Sequence, residues 1–212
     1  MTIQFRQAEA ADADLAVPLI YSSGPAAFEF VFTVPKFGLA RDFLHFAFVQ
    51  GEGEFGYRNH IVGIEDGRIV AVGGGWSGAS GVTFMLAAAR QIFRHYGLIA
   101  GLGVIVRGLR TEAVIPPAPR NRYYLGHLGV CAERQGQGLG QKLIQHLTTR
   151  GIALGFTAMA LDVSVTNPRA QALYERIGFT VMQERPSTLR NAHGMVASHR
   201  RMVWTPEHIR AT

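Results

Sequence analysis

The chain has 212 residues, 48% hydrophobic and 17% charged, the composition of a globular protein long enough to bury a sizeable core. Its formal net charge is +6, from 21 Lys and Arg against 15 Asp and Glu; a polyanionic ligand suits that balance, but no basic run interleaved with aromatics and no zinc-finger spacing is present, so no nucleic-acid partner is expected. The longest apolar stretch, residues 97–106, stops at Arg107 and falls short of the ~18–20 residues of a membrane span, so no membrane partner is expected either.

The first residues, MTIQFRQAEA, lack an apolar signal core, and IQFRQA reads as a strand. Asp12 or Asp14 is placed to cap a helix over LAVPLIYSS, in which Pro18 implies a bend. Phenylalanines then crowd the chain at 28, 30, 32, 37, 43, 46 and 48, and FGLARDFLHFAFVQ has helical character; these rings hint at an apolar acceptor group or at core. NHIVGIE and RIVAVGGGWSG flank Asp66-Gly67, a two-residue turn signal, and read as a hairpin.

Residues 79–122 carry two helical patterns. Val82, Met85, Leu86, Ala89, Phe93 and Tyr96 share one face, and Leu98, Ile99, Leu102, Ile105, Val106 and Leu109 share another, before IPPAPRNR closes the segment in extended form. A helical hairpin packed on the sheet is expected, with a lid over an acceptor site or a homodimer face as the sharper alternatives.

YYLGHLGV, residues 123–130, reads as a strand, and RQGQGLGQK follows it with Gly136, Gly138 and Gly140 on alternate positions before a helical run ending near Gly151. Backbone freed of Cβ atoms at a helix start can converge several N–H groups on one anion. The letters do not fit a dinucleotide fingerprint, since Gln141 stands where its third glycine would be, nor a Walker loop, since Gly140 precedes Gln141 and Lys142. AMALDVSVTN is a β-branched strand leading to NPRAQALYERIGF, where Asn167 is a good N-cap, Pro168 suits the first helical position, Ala170, Leu173, Tyr174 and Ile177 form one face, and Gly178 ends the helix. TVMQE and HRRMVW read as closing strands. With no repeat or low-complexity linker, residues 1–212 are expected to form one domain. The lone Cys131 cannot pair within the chain, which agrees with a cytoplasmic setting.

The spacing Gln135-x-x-Gly138-x-Gly140, followed about thirty residues later by NPRAQALYERIGF, resembles the GCN5-related N-acetyltransferase (GNAT) family over about residues 59–204, outside the 79–122 insertion. The resemblance implies an α/β (α+β) fold: a central mixed, mostly antiparallel, splayed sheet flanked by helices, with the helical insertion preceding the strand that binds acetyl-coenzyme A (acetyl-CoA). It implies a pyrophosphate seat of Gln135, Gly136, Gln137, Gly138, Gly140 and Gln141. It also implies pantetheine pairing with the backbone of Leu128 and Val130, and cofactor contacts from Asn167, Ala170 and Tyr174. Gln135 stands where many members carry arginine, and Arg134 is placed to compensate.

The implied reaction is direct attack of an amine on the acetyl thioester in a ternary complex. The Val130 N–H would stabilise the oxyanion, and Tyr174 would give a proton to the departing sulfur. For the base the candidates are Asp162 and His127, then Glu65, with a water chain as an equal alternative; a structural histidine is the competing role for His127. Histidines and Cys131 show no metal-ligand spacing, so no metal is expected. A small-molecule or peptide amine is the implied acceptor. A non-catalytic acetyl-CoA sensor and a protein N-terminal or lysine acetyltransferase are the alternatives.

Overall fold

Alternation along the strands decides which side chains meet which helices. In the computed structural model, which describes residues 3–206, Val62 and Val72 point toward one helical layer, while their neighbours Ile61 and Ala71 point toward the other. The strands are β1 (Gln4–Gln7), β2 (His60–Glu65), β3 (Arg68–Ser77), β4 (Tyr123–Val130), β5 (Met159–Ser164), β6 (Thr180–Arg185) and β7 (His199–Trp204), arranged in one sheet in the order β1-β2-β3-β4-β5-β7-β6. Only β4 and β5 run parallel; every other adjacent pair is antiparallel. The expected mixed, mostly antiparallel sheet is therefore present.

One face carries α1 (Ala13–Ser22), α2 (Pro25–Phe32), α3 (Ala40–Gln50) and α4 (Gly81–Glu112); the other carries α5 (Leu139–Ala153) and α6 (Pro168–Arg176). The helix α2 is missing from the sequence reading, although Pro25 directly after Gly24 is a first-turn signal. Most of the phenylalanine-rich stretch is core: Phe30, Phe32, Phe43 and Phe48 are buried. The β2–β3 hairpin closes where expected, with Asp66 and Gly67 both at positive φ, 49° and 75°.

Residues 79–122 contain the two helical arms expected, but their faces are turned differently. They form a long helix broken at Gly97, whose φ of 70° and ψ of 179° leave the helical region. The second arm folds back until Gly101 lies against Ile92 and Phe93. This pair of arms packs mainly on α2 and α3 and meets the sheet where Phe84 lies against Trp76 of β3: the Tyr96 hydroxyl donates to the Phe32 carbonyl at 2.6 Å, and Arg107 Nε donates to the Val31 carbonyl at 2.9 Å. Both faces assigned from periodicity are therefore largely turned outward. Val82, Met85, Leu86, Leu98, Leu102 and Leu109 are exposed and Ile99 is 94% exposed, whereas Gln91, Ile92, Tyr96 and Val104 are buried. By length and composition α4 as a whole is apolar enough to cross a membrane, but each arm, residues 81–96 and 98–112, is shorter than the ~20 residues of a span.

Candidate active site

The sheet opens at its one parallel junction. β4 and β5 pair only at Tyr123↔Met159 and Tyr124↔Ala160, so beyond Leu125 the strands diverge and leave backbone facing a gap. A cleft of about 390 Å³ adjoins that gap, lined by β4, the glycine loop, α5 and α6. Leu128 and Val130 line it, as do Gln135, Gly136, Gly138, Gly140, Gln141, Asn167, Ala170 and Tyr174. The sequence thus named most of its wall. Gln137 is absent from that lining; its side chain turns back to donate to the Glu133 carbonyl at 3.1 Å.

Ladder geometry tells where Val130 points. The Cys131 N–H donates to the Val70 carbonyl, so 131 and 70 are a hydrogen-bonded pair. The next pair, Val130 opposite Ala71, must then be a non-bonded one, and the Val130 N–H is aimed away from β3 toward the gap. The Val130 carbonyl is already taken: Gln135 Nε2 donates to it at 3.1 Å. Gln135 therefore ties the loop to the end of β4, a job the sequence did not reveal, and where arginine would add charge it adds a strap instead.

Gly138 sits at the N-cap of α5 with φ of 80°. Any side chain there would be held in left-handed backbone at a cost of ~1–2 kcal/mol, and a Cβ would stand in open space over the loop. Three cations ring the same cleft: Arg134, Arg169 and Arg176. Arg134 is shared with Glu65, its ion-pair partner, which removes Glu65 from the cleft as a free base. Arg169 reaches Gly136, where a Cβ would lie 3.3 Å from its guanidinium. Neither Arg169 nor Arg176 was singled out from the sequence, although both lie within NPRAQALYERIGF. Asn167 caps α6 as expected, its side chain accepting from the Ala170 N–H at 3.1 Å, and burial pushes Tyr174 up to about 12.

Asp162 and His127 lie on the sheet's other face. Asp162 accepts from Arg201 Nε at 2.9 Å and from the Tyr124 hydroxyl at 2.9 Å, and its side chain is 2% exposed. Both carboxylate oxygens of Asp162 are therefore already engaged. Tyr124 in turn is held protonated by burial and by Asp162.

His127 is different. It lies in a β-bulge: Val72 pairs with Gly129 and Gly74 with Gly126, so His127 and Leu128 together oppose Gly73. The bulge puts His127 at φ of 54°, a conformation costing ~1–2 kcal/mol in a residue other than glycine. Its ring is walled by Phe28, Phe55 and Trp76 at centroid distances of 6.0, 5.0 and 5.3 Å. Nδ1 meets His60 Nε2 at 3.0 Å, and Nε2 faces Glu54 Oε1 at 3.5 Å. Among the described residues, no group of three or more His, Cys, Asp or Glu side chains is arranged to hold a metal ion.

Comparison with known proteins places this geometry. The model of the acetyltransferase (GNAT) family matches residues 40–179. A curated relative, 5-NmdU N-acetyltransferase of Pseudomonas phage PaMx11, is 37% identical over 96 residues, covering 44% of this chain and 59% of that protein; the chain thus spans only about three-fifths of that relative's length. An N-acetyltransferase from Staphylococcus aureus Mu50 shares the fold with a TM-score of 0.69 at 15% identity, over 94% of this chain and 99% of that one. A protein from Salmonella typhimurium whose structure holds its cofactor acetyl-CoA aligns with a TM-score of 0.56 at 15% identity, over 97% and 94%. Because the family match takes in both motifs and the parted strands between them, the chain belongs to the acetyltransferase (GNAT) family.

Proposed function

We propose that the protein transfers an acetyl group from acetyl-CoA to a primary amine by direct attack in a ternary complex. The observation that carries this reading is the parting of β4 from β5 beside a glycine loop ringed by Arg134, Arg169 and Arg176. The residues fit the cofactor. Free N–H groups and three guanidiniums suit a pyrophosphate, and the outward-facing Val130 N–H suits an amide or a thioester oxygen. The family uses acetyl-CoA as acyl donor, which supports the fit.

The chain's own groups then have separable jobs. The Val130 N–H, fixed by the sheet, is available to charge developing on a carbonyl oxygen. Tyr174 stays protonated at working pH and, at about 12, holds its proton more tightly than a thiol does. Its part is hydrogen-bond donation to the departing sulfur rather than complete proton transfer. On the other face, the half-exposed rim at Glu54 leads to His127, whose Nε2 receives the proton that the acceptor ammonium must lose before it attacks.

The test is mass-spectrometric detection of acetyl transfer from acetyl-CoA to pooled small amines and peptides. Acetylated small amines would support the reading, and acetylated peptides alone would redirect it to a protein acceptor. No product, with stabilisation by acetyl-CoA intact, would favour a sensor. In the same assay Tyr174→Phe is expected to lower kcat about 10- to 100-fold, the loss of one hydrogen bond to a charged sulfur, with little change in acetyl-CoA affinity. Gly138→Ala is expected to act on affinity instead. If the free loop relaxes to escape the left-handed strain, binding must restore it, and the ~1–2 kcal/mol involved weakens acetyl-CoA about tenfold by calorimetry.

A further inference from the structure

We propose that buried His60 is a positioning residue that fixes the tautomer of His127, so that a single bare nitrogen of His127 faces the acceptor. The inference deepens the acetyl-transfer reading above and rests on it for its catalytic part; the tautomer itself does not.

Elimination gives the protonation pattern. His60 opens β2 and is fully buried, with Phe48 beside it at 5.8 Å. Its Nδ1 lies 2.9 Å from the Gly56 carbonyl, which can only accept, so Nδ1 carries the hydrogen. Burial, with the neighbouring His127 adding to it, holds the ring neutral and lowers its pKa to about 3. Its Nε2 is therefore a bare acceptor. The partner 3.0 Å away, His127 Nδ1, must be the donor. The rings are 11° from parallel with centroids 5.2 Å apart, which at that N···N distance describes two rings edge to edge in nearly one plane, as an in-plane N–H···N bond requires. The remaining nitrogen, His127 Nε2, is then the lone pair, and it faces the rim at Glu54.

The proton balance follows. An amine N–H bond breaks, an Nε2–H bond forms on His127, and the attacking nitrogen keeps the electron pair. The imidazolium so formed still donates from Nδ1 to His60 and now donates from Nε2 toward Glu54, whose side chain is 46% exposed and passes the proton to water. His60 does not take it, because its own protonation is opposed by burial. The charged or titratable groups around the pair are few. Glu54 precedes β2, Glu112 ends α4 and interacts with Glu54, and Tyr124 with the Asp162–Arg201 pair lies further along the same face. The remaining neighbours, Phe28, Phe55, Trp76 and Phe48, are uncharged rings.

The experiment compares the full chain with His60→Leu and His60→Gln by 15N NMR of the His127 ring, by the pH profile of kcat/KM and by thermal shift with acetyl-CoA. The wild type is expected to hold neutral His127 as the Nδ1–H tautomer alone. His60→Leu should mix the tautomers, lower kcat/KM about 10- to 100-fold, and alter its dependence on pH. His60→Gln offers an oxygen near the position of Nε2 and should recover most of the lost rate and the single tautomer. A wild type with mixed tautomers, an unchanged tautomer and profile in His60→Leu, or a glutamine variant as impaired as the leucine one would overturn the assignment. A wild type with the expected tautomer but no acetyl transfer to any amine would support the pairing and sink only the transferase reading.

Discussion

His127→Asn is expected to lower kcat/KM for acetyl transfer about 10²- to 10⁴-fold near neutral pH, the range that a positioned acid or base contributes. Asparagine is the informative replacement because it tolerates the left-handed backbone that the bulge imposes at this position. Alanine would mix loss of the imidazole with strain of the bulge. Acetyl-CoA binding should be unaffected, since the cleft proposed for it is lined by Leu128 and Val130 from β4 and His127 lies on the other side of the sheet. Calorimetry with acetyl-CoA and steady-state kinetics across pH separate the two effects. Added imidazole should restore part of the rate. Activity within a fewfold of wild type would assign proton removal to water and return His127 to a structural role.

How far the sequence reached depended on whether a signal was local. The glycine loop and NPRAQALYERIGF were legible because their chemistry is carried by neighbours in the chain: alternate glycines before a helix, and an Asn-Pro cap that the structure reproduces between Asn167 and Ala170. The hairpin was legible for the same reason. Long-range partners were not. Nothing near Asp162 in sequence announces Arg201, and alternation along β5 could place the carboxylate opposite Leu161 and Val163 but not say which face carried the cleft. His60 passed unnoticed because its partner is 67 residues away. Arg169 and Arg176 lie inside NPRAQALYERIGF, but helical periodicity marks only the apolar face of that helix. In the α4 arms periodicity located a stripe of apolar residues, but helix packing on α2 and α3 buried Gln91, Ile92 and Val104 beside Tyr96 and left much of that stripe outside.

Asp162→Asn should destabilise the fold by about 3–5 kcal/mol, the loss seen when one partner of a buried ion pair is removed. The reasoning rests on what stays behind. The Arg201 side chain is 8% exposed and also donates to the Pro116 carbonyl at 2.7 Å, so its position is fixed by β7 and by the connection before β4. It cannot swing to water when the carboxylate goes. The amide replacing Asp162 keeps one acceptor oxygen, loses the charge, and must turn an NH₂ group toward either a guanidinium or the Tyr124 hydroxyl. Urea denaturation should therefore show a lower midpoint with an unchanged slope, since compactness is not altered. Asp162→Leu combined with Arg201→Met should cost less than the two single changes summed, because an apolar pair strands no charge. Catalysis is the second half of the prediction. Per folded molecule, Asp162→Asn should keep most of its turnover, since the side chain is buried between Arg201 and Tyr124 with both oxygens already hydrogen-bonded. A variant that melts like wild type yet turns over hundreds of times more slowly would reverse the roles argued here, making Asp162 the base and the His60–His127 pair its scaffold.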